Sequence, residues 1–282
     1  MPELPEVETI VRSLRAYILG RKIFSIKVFL PKIIRSAGKE TPDKLAAKHE
    51  ELVGKTLINI SRLGKNIILQ FSGGWYARVH LKMTGQLLVN LPEDPIKKHT
   101  HVIFSLDGGK LDLRYRDIRQ FGYIQILTEQ ELADWVEGDF IGPDPLEISF
   151  PCFLARLRSR KGKLKAVLLN QAFLGGLGNI YVDETLFQAG IHPESSSLHL
   201  SDEEISSLYQ KMQSVLLAAI QYKGSSIRDY VESSGERGQY QNLHQVYGRA
   251  GLPCLKCGTR IEKIRVAGRG TYLCPLCQKV AR

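Results

Sequence analysis

Four of the five cysteines stand in two close pairs near the end of the chain, and they restrict the fold of that region more tightly than any other pattern. The pairs read CLKC at 254–257 and CPLC at 274–277, which gives the spacing C-x2-C-x16-C-x2-C. Four thiolates at this spacing are typical of a tetrahedral zinc site with no coordination position left for water. We therefore predict a zinc ribbon with one structural Zn2+, bound by Cys254, Cys257, Cys274 and Cys277.

The overall charge of the chain favours a polyanionic partner. Its 282 residues include 39 Lys and Arg against 29 Asp and Glu, a formal net charge of +10, and 43% of them are hydrophobic. This length and composition allow two compact domains, and the positive balance is typical of proteins that bind nucleic acid. Because no apolar run could span a bilayer and no signal-peptide pattern is present, we expect a cytoplasmic protein without a membrane partner.

The fifth cysteine stands apart from the two pairs. Cys152 lies among Phe150, Phe153 and Leu154. A free cysteine in apolar surroundings behaves as a small hydrophobic residue, so we expect Cys152 to be a core residue.

Short segments with strand periodicity fill the first half of the chain. From Ile23 to about Leu127, apolar runs such as NIILQF, WYARVHL and HVIFSL alternate with turn signals such as SGG and DGG. This spacing is typical of an antiparallel sandwich or barrel. One helix precedes the strands and can end at Gly20, because apolar residues recur at helical intervals: Val7, Ile10, Val11, Leu14 and Ile18.

A segment rich in Gly and Pro separates the strands from a helical region. Beyond it, helices are predicted near 150–160, 164–172, 179–189 and 201–222, and capping boxes mark helix starts at Thr128 and Ser201. We predict an α+β fold in four parts: a β-sandwich domain with the N-terminal helix at 1–137, a linker at 138–149, a helical domain at 150–238 and the zinc ribbon at 239–282.

The glycine-rich stretch LGGLGN at 174–179 joins two predicted helices. It lacks the Lys-Ser/Thr pair of a nucleotide-binding loop and follows a helix rather than a strand. It is either an ordinary turn or a helix–two-turns–helix junction, in which the helix that begins at Asn179 offers N–H groups to a DNA phosphate. The preceding basic run RLRSRKGKLK, which ends at Lys165, favours the phosphate interpretation.

The chain begins MPELPEVETI, with two prolines and three glutamates in ten residues. Because Pro2 is small, methionine aminopeptidase can remove Met1 and leave a secondary amine. An α-amino group has a pKa of about 8, so a nucleophilic fraction exists at neutral pH. Its attack on an aldehyde-level carbon gives an iminium, an electron sink for elimination, and Glu3 and Glu6 could transfer protons beside it. The alternative is that Pro and Glu are simply favoured at a helix start.

Five stretches occur together in one order along the chain: PELPEVET at 2–9, HLKMTG at 80–85, DIRQFG at 117–122, GGLGNIYVDE at 175–184 and GRGTYLCPLCQK at 268–279. Over essentially its whole length the chain resembles the formamidopyrimidine-DNA glycosylase family. The resemblance implies a base excision repair enzyme with glycosylase and lyase activities on oxidised purines, such as 8-oxoguanine and formamidopyrimidines, in duplex DNA. It implies that Pro2 attacks C1′ of the damaged nucleotide, that Glu3 transfers protons with support from Glu6, and that β,δ-elimination follows.

The resemblance also implies roles for residues outside the N-terminus. Lys65 would contact DNA at the active site, and Arg269 would serve the catalytic group through a phosphate contact. The base must leave the stack, and three residues would fill the hole that it leaves: Met83, Arg119 and Phe121. The other implied DNA-binding residues are His80, Lys165, Asn179 and, in the position of the lesion-recognition loop, Ser225 and Ser226. The implied partner is damaged double-stranded DNA, and we expect a monomer.

Two alternatives remain open from the sequence. An endonuclease VIII-like glycosylase would prefer oxidised pyrimidines, although that branch typically opens with PEGPE where this chain has PELPE. A non-catalytic zinc-containing sensor of DNA damage would share the ribbon and the basic charge. It has no need, however, of Pro2, Glu3 and Glu6 together at a free terminus, so the sequence favours the enzyme.

Overall fold

The computed structural model describes residues 1–35, 48–138 and 141–280. The chain divides into two compact units, Met1–Asp139 with Lys223–Gly238, and Phe140–Tyr222 with Gln239–Arg282. The predicted boundaries differ from these units, because they give residues 223–238 to the helical domain. In the structure this segment hydrogen-bonds to the N-terminal helix and to a strand of the sandwich. Residues 139 and 140 of the predicted linker lie outside the described residues.

The first unit is the predicted β-sandwich with its N-terminal helix. Helix α1 spans Leu4–Ile18 and helix α2 spans Glu129–Gly138, and short 3-10 turns lie at Pro31–Ile33 and Glu50–Leu52. Two four-stranded antiparallel sheets have the orders β1-β6-β7-β5 and β2-β3-β4-β8. The strands are β1 Ile23–Val28, β2 Leu57–Leu63, β3 Asn66–Phe71, β4 Trp75–His80, β5 Gly85–Asn90, β6 Thr100–Leu106, β7 Leu111–Asp117 and β8 Tyr123–Thr128.

Helix α1 is attached to the sandwich by the apolar stripe that the sequence predicts. The five stripe residues, from Val7 to Ile18, are all buried in one cluster with residues of both sheets, such as Ile60 and Leu87. Arg15 lies off the stripe and donates a hydrogen bond of 2.6 Å to the backbone oxygen of Ile60. Because burial of each large aliphatic side chain contributes roughly 1.5–3 kcal/mol, this face fixes the position of the helix N-terminus on the sandwich.

Two connections between the sheets lie side by side. Residues 81–84 connect β4 to β5, and residues 118–122 connect β7 to β8. The strand register sets Gly85 opposite Asp117 and His80 opposite Tyr123, so both connections leave the sandwich at the same end. The motifs HLKMTG at 80–85 and DIRQFG at 117–122, which are 32 or more residues apart in sequence, therefore form one surface.

The described residues of the second unit form four α-helices and a two-stranded ribbon. The helices are α3 Phe150–Arg158, α4 Leu164–Leu169, α5 Asn179–Ala189 and α6 Asp202–Gln221, followed by a 3-10 turn at Tyr240–Leu243. The ribbon strands β9 Glu262–Val266 and β10 Arg269–Leu273 are antiparallel, and Ala267 and Gly268, both with positive φ, form their two-residue turn. Turns of this kind match the twist of a hairpin, and Gly268 adopts the required backbone without strain.

Both predicted capping boxes are present. At α2, the Thr128 N–H donates to the Glu131 carboxylate and the Glu131 N–H donates to the Thr128 hydroxyl; Ser201 and Glu204 make the same exchange at α6. The prediction for Cys152 is wrong, because its side chain is exposed. Helix α3 buries Phe153 and Leu157, four residues apart, and this leaves Cys152 on the solvent side.

Candidate active site and nucleic-acid interface

Two buried carboxylates surround the start of α1. Glu3 is 4% exposed and Glu6 is 1% exposed, and they form a reciprocal capping box in which Glu6 Oε2 accepts a hydrogen bond of 2.7 Å from the Glu3 N–H. Pro5 at the first turn fixes a helical φ where no N–H is needed. The backbone of residues 3–6 is thus an ordinary helix start, as the alternative interpretation of the sequence predicts. The burial of both acids, however, goes beyond what a helix cap requires.

The chain terminus lies within the field of these carboxylates. Burial lowers the pKa of the Met1 α-amine, the charges of Glu3 and Glu6 raise it, and the charges of Lys65 and Arg228 lower it. Met1 itself is half exposed, whereas Pro2 is buried. The structure therefore brings four charged side chains together around the terminus, and three of them are predicted site residues.

Residues of the segment 223–238 close over Glu6. The Ser225 N–H donates a hydrogen bond of 2.7 Å to Glu6 Oε1, and the Ser226 hydroxyl donates to the Tyr230 backbone oxygen at 2.7 Å. Both serines are buried. In this structure their hydrogen bonds hold the base of the segment, and their predicted role in DNA binding stays a prediction.

Lys65 and His80 lie in the same unit as the amine. Lys65 is buried at the turn between β2 and β3, and His80 ends β4. Burial first, and then the charges of Lys82 and Arg78, lowers the pKa of His80 to about 3. The imidazole is therefore neutral near pH 7, and its Nδ1 accepts the Lys82 N–H at 3.0 Å. A DNA contact by His80 would be a hydrogen bond rather than an ion pair.

The three predicted void-filling residues project from the paired connections. Met83 is 39% exposed and Phe121 is 50% exposed, although isolated apolar residues of this kind would be expected in a core. The Arg119 guanidinium carbon lies 4.7 Å from the centroid of the Phe121 ring. Such a group can stack, enter a base step and donate hydrogen bonds, which is what an insertion into unstacked DNA needs.

Asp117 holds these connections together. It is fully buried, and its carboxylate accepts hydrogen bonds from the Thr84 hydroxyl, the Arg119 N–H and the Gly122 N–H. Two of these donors flank Phe121, and the third follows Met83. A single carboxylate thus fixes both loops, and the signal for it was the acid that opens the motif DIRQFG.

The second unit places Asn179 against the ribbon. Asn179 begins α5, and its Nδ2 donates a hydrogen bond of 2.8 Å to the Gly270 backbone oxygen. Arg269, the neighbouring residue in β10, is exposed. The helix start and the hairpin are therefore adjacent, and a phosphate there would meet helix N–H groups together with the Arg269 guanidinium. The catalytic role of Arg269 stays a prediction.

Lys165 lies in the interior of the second unit. Its side chain is 0% exposed, and Nζ donates to Asp183 Oδ1 at 2.6 Å and to the Thr271 hydroxyl at 2.8 Å. In this structure the Lys165 ammonium has no exposed surface to offer a phosphate, and its predicted role in DNA binding stays a prediction. An ammonium buried with a carboxylate is energetically tied to that partner, so Lys165 instead connects α4, α5 and β10.

Two buried acids of α5 were missed by the sequence interpretation. Asp183 Oδ2 accepts the Tyr272 N–H, and Glu184 accepts the backbone N–H groups of Gln245, Val246 and Tyr247. Burial raises the pKa of Asp183 to about 7, against the lowering effect of Lys165. The signal was two adjacent acids in the otherwise apolar helix sequence IYVDETLF.

The four predicted zinc ligands come together. Their sulfur atoms all lie within 4.8 Å of one another, and three of the pairs are 3.4, 3.5 and 3.9 Å apart. A tetrahedron of sulfurs about 2.3 Å from a central ion has edges of roughly 3.8 Å. The Lys256 N–H donates to Cys254 Sγ, and the Cys277 N–H donates to Cys274 Sγ. The site fits one Zn2+, and four cysteine ligands leave no coordination position for water.

Comparison with known proteins agrees with this geometry. Family models match residues 1–124 (formamidopyrimidine-DNA glycosylase N-terminal domain), 141–231 (formamidopyrimidine-DNA glycosylase H2TH domain) and 251–280 (zinc finger found in FPG and IleRS). The formamidopyrimidine-DNA glycosylases of Pelotomaculum thermopropionicum and Brevibacillus brevis are 42% and 44% identical to the chain, over 99% of its length and 99–100% of theirs.

Solved structures agree as well. A Lactococcus lactis FPG mutant in complex with a Fapy-dG containing DNA matches with a TM-score of 0.89 and 38% identity, covering 99% of this chain and 100% of that one. A complex of MutM with carbocyclic 8-oxo-G containing DNA matches at 0.88 and 37%, with the same coverage. These findings define a DNA glycosylase of base excision repair. The chain belongs to the formamidopyrimidine-DNA glycosylase family.

No helix in the described ranges combines the length and the apolar character that crossing a membrane would require.

Proposed function

We propose that this chain excises oxidised purines from duplex DNA and cuts the strand through a covalent intermediate on the Pro2 amine, which forms once Met1 has been removed. The observation that carries this proposal is the charge arrangement at the terminus. Two buried carboxylates, Glu3 and Glu6, act on the α-amine of Met1 together with Lys65 and Arg228, and the Pro2 nitrogen is one residue further along the chain. A protein that only binds DNA has no use for this arrangement.

The reaction follows from the chemistry of a secondary amine. The nitrogen lone pair of Pro2 forms a bond to C1′ as the bond from C1′ to the base breaks, and that electron pair leaves with the base, which takes up a proton. The Pro2 nitrogen then loses its proton to a base, and opening of the sugar with protonation of O4′ gives a cationic iminium. Loss of a C2′ proton then expels the 3′ phosphate, and a second elimination expels the 5′ phosphate. Glu3, buried next to the amine, is the group we assign to these proton transfers.

The exposed residues of the paired connections account for access to C1′. Flipping a nucleotide out of the stack costs a few kcal/mol. We assign Met83 and Phe121 to the vacated space and Arg119 to the unpaired base, because they project together from one end of the sandwich. In the second unit, the N-terminus of α5 with Asn179 and the ribbon with Arg269 would bind phosphates. One Zn2+ on the four cysteines would hold that ribbon in shape.

Borohydride trapping tests the lesion class. Purified protein would be mixed with duplexes that hold a single 8-oxoguanine, a single oxidised pyrimidine or no lesion. We expect a reduced adduct with 8-oxoguanine in preference to the pyrimidine. The matched control is Pro2→Glu, whose large second residue keeps Met1 in place, so that position 2 is an amide and no adduct forms. Preferential trapping on the pyrimidine would favour the endonuclease VIII-like alternative, and no adduct with any lesion would favour the sensor.

The family also suggests where and in what form the enzyme acts. We infer a monomer, located in the cytoplasm and associated with the nucleoid through DNA. Sedimentation at micromolar concentration should give a mass near 31.7 kDa, and a dimer mass would overturn the inference.

A further inference from the structure

The Glu6 carboxylate joins two segments that are more than 200 residues apart. Its Oε2 accepts the Glu3 N–H and its Oε1 accepts the Ser225 N–H, both at 2.7 Å. One oxygen thus bonds to the start of α1, and the other bonds to the segment 223–238. Glu6 also acts electrostatically on the α-amine of Met1. The position of its carboxylate therefore affects both the chain terminus and the segment 223–238.

Gly224 is pressed against the same carboxylate. Its φ is +76°, and a Cβ added there would lie 2.8 Å from Glu6 Oε1 and 2.9 Å from Glu6 Cγ. Contacts under 3.0 Å are essentially never made by a real Cβ, so any larger residue must move the Glu6 side chain or the segment. Glycine is therefore required twice at this position, by the backbone and by Glu6.

Gly238 closes the other end of the segment. A Cβ there would lie 2.3 Å from the Gly224 backbone oxygen and 2.4 Å from the Lys223 backbone oxygen. Two hydrogen bonds complete the closure: the Gly238 N–H donates to the Ser226 hydroxyl at 2.9 Å, and the Tyr230 hydroxyl donates to the Lys223 oxygen at 3.0 Å. The two ends of the segment are thus packed directly on each other beneath Glu6.

We propose that Gly224, Ser225 and Gly238, named here the glycine stem, position the Glu6 carboxylate beside the terminal amine and so couple the placement of the segment 223–238 to the reactivity of that amine. The proposal rests on the proposed function. These three are positioning residues, because they act through Glu6. A segment that leaves its packed position takes the Ser225 N–H away from Glu6, and the carboxylate then loses the contact that fixes it.

The first test compares two glycines of the same segment. Gly224 and Gly235 both have positive φ, of +76° and +91°, but a Cβ at Gly235 meets nothing within 4 Å. Gly224→Ala and Gly235→Ala therefore add the same kind of backbone strain, about 1–2 kcal/mol, and only the first disturbs Glu6. The readout is the pH dependence of single-turnover adduct formation on an abasic duplex, measured under borohydride.

The expected direction follows from the charges around the amine. In the structure, Glu3 and Glu6 raise the pKa of the Met1 α-amine, and Lys65 and Arg228 lower it. We expect the same signs at the Pro2 amine, which replaces it as the terminus once Met1 is removed. Displacing Glu6 should shift the rising limb of the profile to lower pH, by roughly half a unit, a fraction of the effect of a full opposite charge at contact distance. Gly235→Ala should leave the limb in place. In a Glu6→Gln background, Gly224→Ala should no longer shift the limb. Equal profiles for the two alanine variants would overturn the proposal.

A second measurement is independent of catalysis and of how well Gly224→Ala folds. In Glu6→Ala the acceptor of the Ser225 N–H is gone, so hydrogen exchange at the Ser225 and Gly238 amides should accelerate at least tenfold. The Leu252 amide, which donates to the Arg249 oxygen in the other unit, is the internal control. Unchanged exchange at Ser225 and Gly238 would overturn the proposed role of the glycine stem, even if adducts form. Absence of adducts in the wild type would instead overturn the proposed function and leave the exchange result standing.

Discussion

The two units use buried carboxylates in the same structural way but in different chemical surroundings. In the first unit, Glu6 accepts backbone N–H groups from Glu3 and Ser225. In the second, Asp183 accepts the Tyr272 N–H and pairs with Lys165 at 2.6 Å. Each acid holds a segment that follows much later in the chain.

The difference lies in the cation that accompanies each acid. Lys165 and Asp183 are both fully buried and bonded to each other, so each charge is balanced by the other inside the packed interior. Glu6 acts on the α-amine of Met1, a half-exposed residue whose removal would make the Pro2 nitrogen the chain terminus. Burial of an acid therefore does not by itself identify a catalytic group; the accessibility of its cationic partner distinguishes the chemical site from the structural one.

Zinc removal should have the largest effect on DNA binding. It tests the second unit, whose buried groups we assign a structural role. Cys257→Ser should lose the ion, unfold the ribbon and abolish detectable DNA affinity, because structural zinc contributes about 10–16 kcal/mol in small fingers. Metal content by mass spectrometry and DNA binding by fluorescence anisotropy measure both. Cys152→Ser, at the other exposed cysteine, should keep one zinc and full affinity. Retained affinity after verified loss of zinc would contradict the role of the ribbon.

Breaking the buried ion pair should be the next largest change. Lys165→Ala leaves Asp183 buried without its cation, and we expect the free energy of unfolding to fall by about 3–5 kcal/mol. Lys161→Ala, at an exposed position of the same basic run, should change it by less than about 0.5 kcal/mol. Denaturant titration followed by circular dichroism measures both. If Lys165→Ala were as stable as the wild type and instead lowered DNA affinity, a direct phosphate contact would be indicated.

Substitution of Phe121, one of the three predicted void-filling residues, tests the role that we assign to the first unit in excision. Phe121→Ala should slow excision of 8-oxoguanine about tenfold or more, since filling the vacated space offsets part of the cost of flipping. On an abasic site, where less stacking is lost, the effect should be smaller. Phe24→Ala, at a similarly exposed phenylalanine of β1, is the control and should excise at the wild-type rate. Equal slowing on both substrates would argue against insertion.

The neutral His80 gives the smallest predicted effect. Its pKa is lowered to about 3 in the folded chain, so the unfolded chain binds a proton below pH 6.5 that the folded chain does not. The stabilisation is therefore complete above pH 6.5 and is lost as pH falls toward 3. Between pH 6.5 and 5, the free energy of unfolding should fall less in His80→Asn than in the wild type, by on the order of 1 kcal/mol. Parallel curves for variant and wild type would show that His80 is charged when folded.

Local patterns predicted most of the secondary structure and the metal site. Strand alternation, the stripe of α1, two capping boxes and the cysteine spacing all depend on neighbours in sequence or on fixed intervals. The prediction for Cys152 failed locally, because the burial of Phe153 and Leu157 leaves Cys152 on the solvent side of its own helix. The placements that the sequence did not indicate concern contacts across long separations. Lys165 looked like one of six similar cations, and only its meeting with Asp183 and Thr271 buries it. The placement of residues 223–238 with the first unit likewise depends on Glu6, more than 200 residues earlier.

The central claim is that the Pro2 nitrogen is the nucleophile, and peptide mapping of the trapped complex tests it most directly. The wild-type protein would be reduced with borohydride on an 8-oxoguanine duplex, digested with protease and nuclease, and analysed by tandem mass spectrometry. We predict a chain that begins at Pro2 and carries the sugar remnant on that nitrogen. A remnant on Lys65, or on any other lysine, would contradict the account.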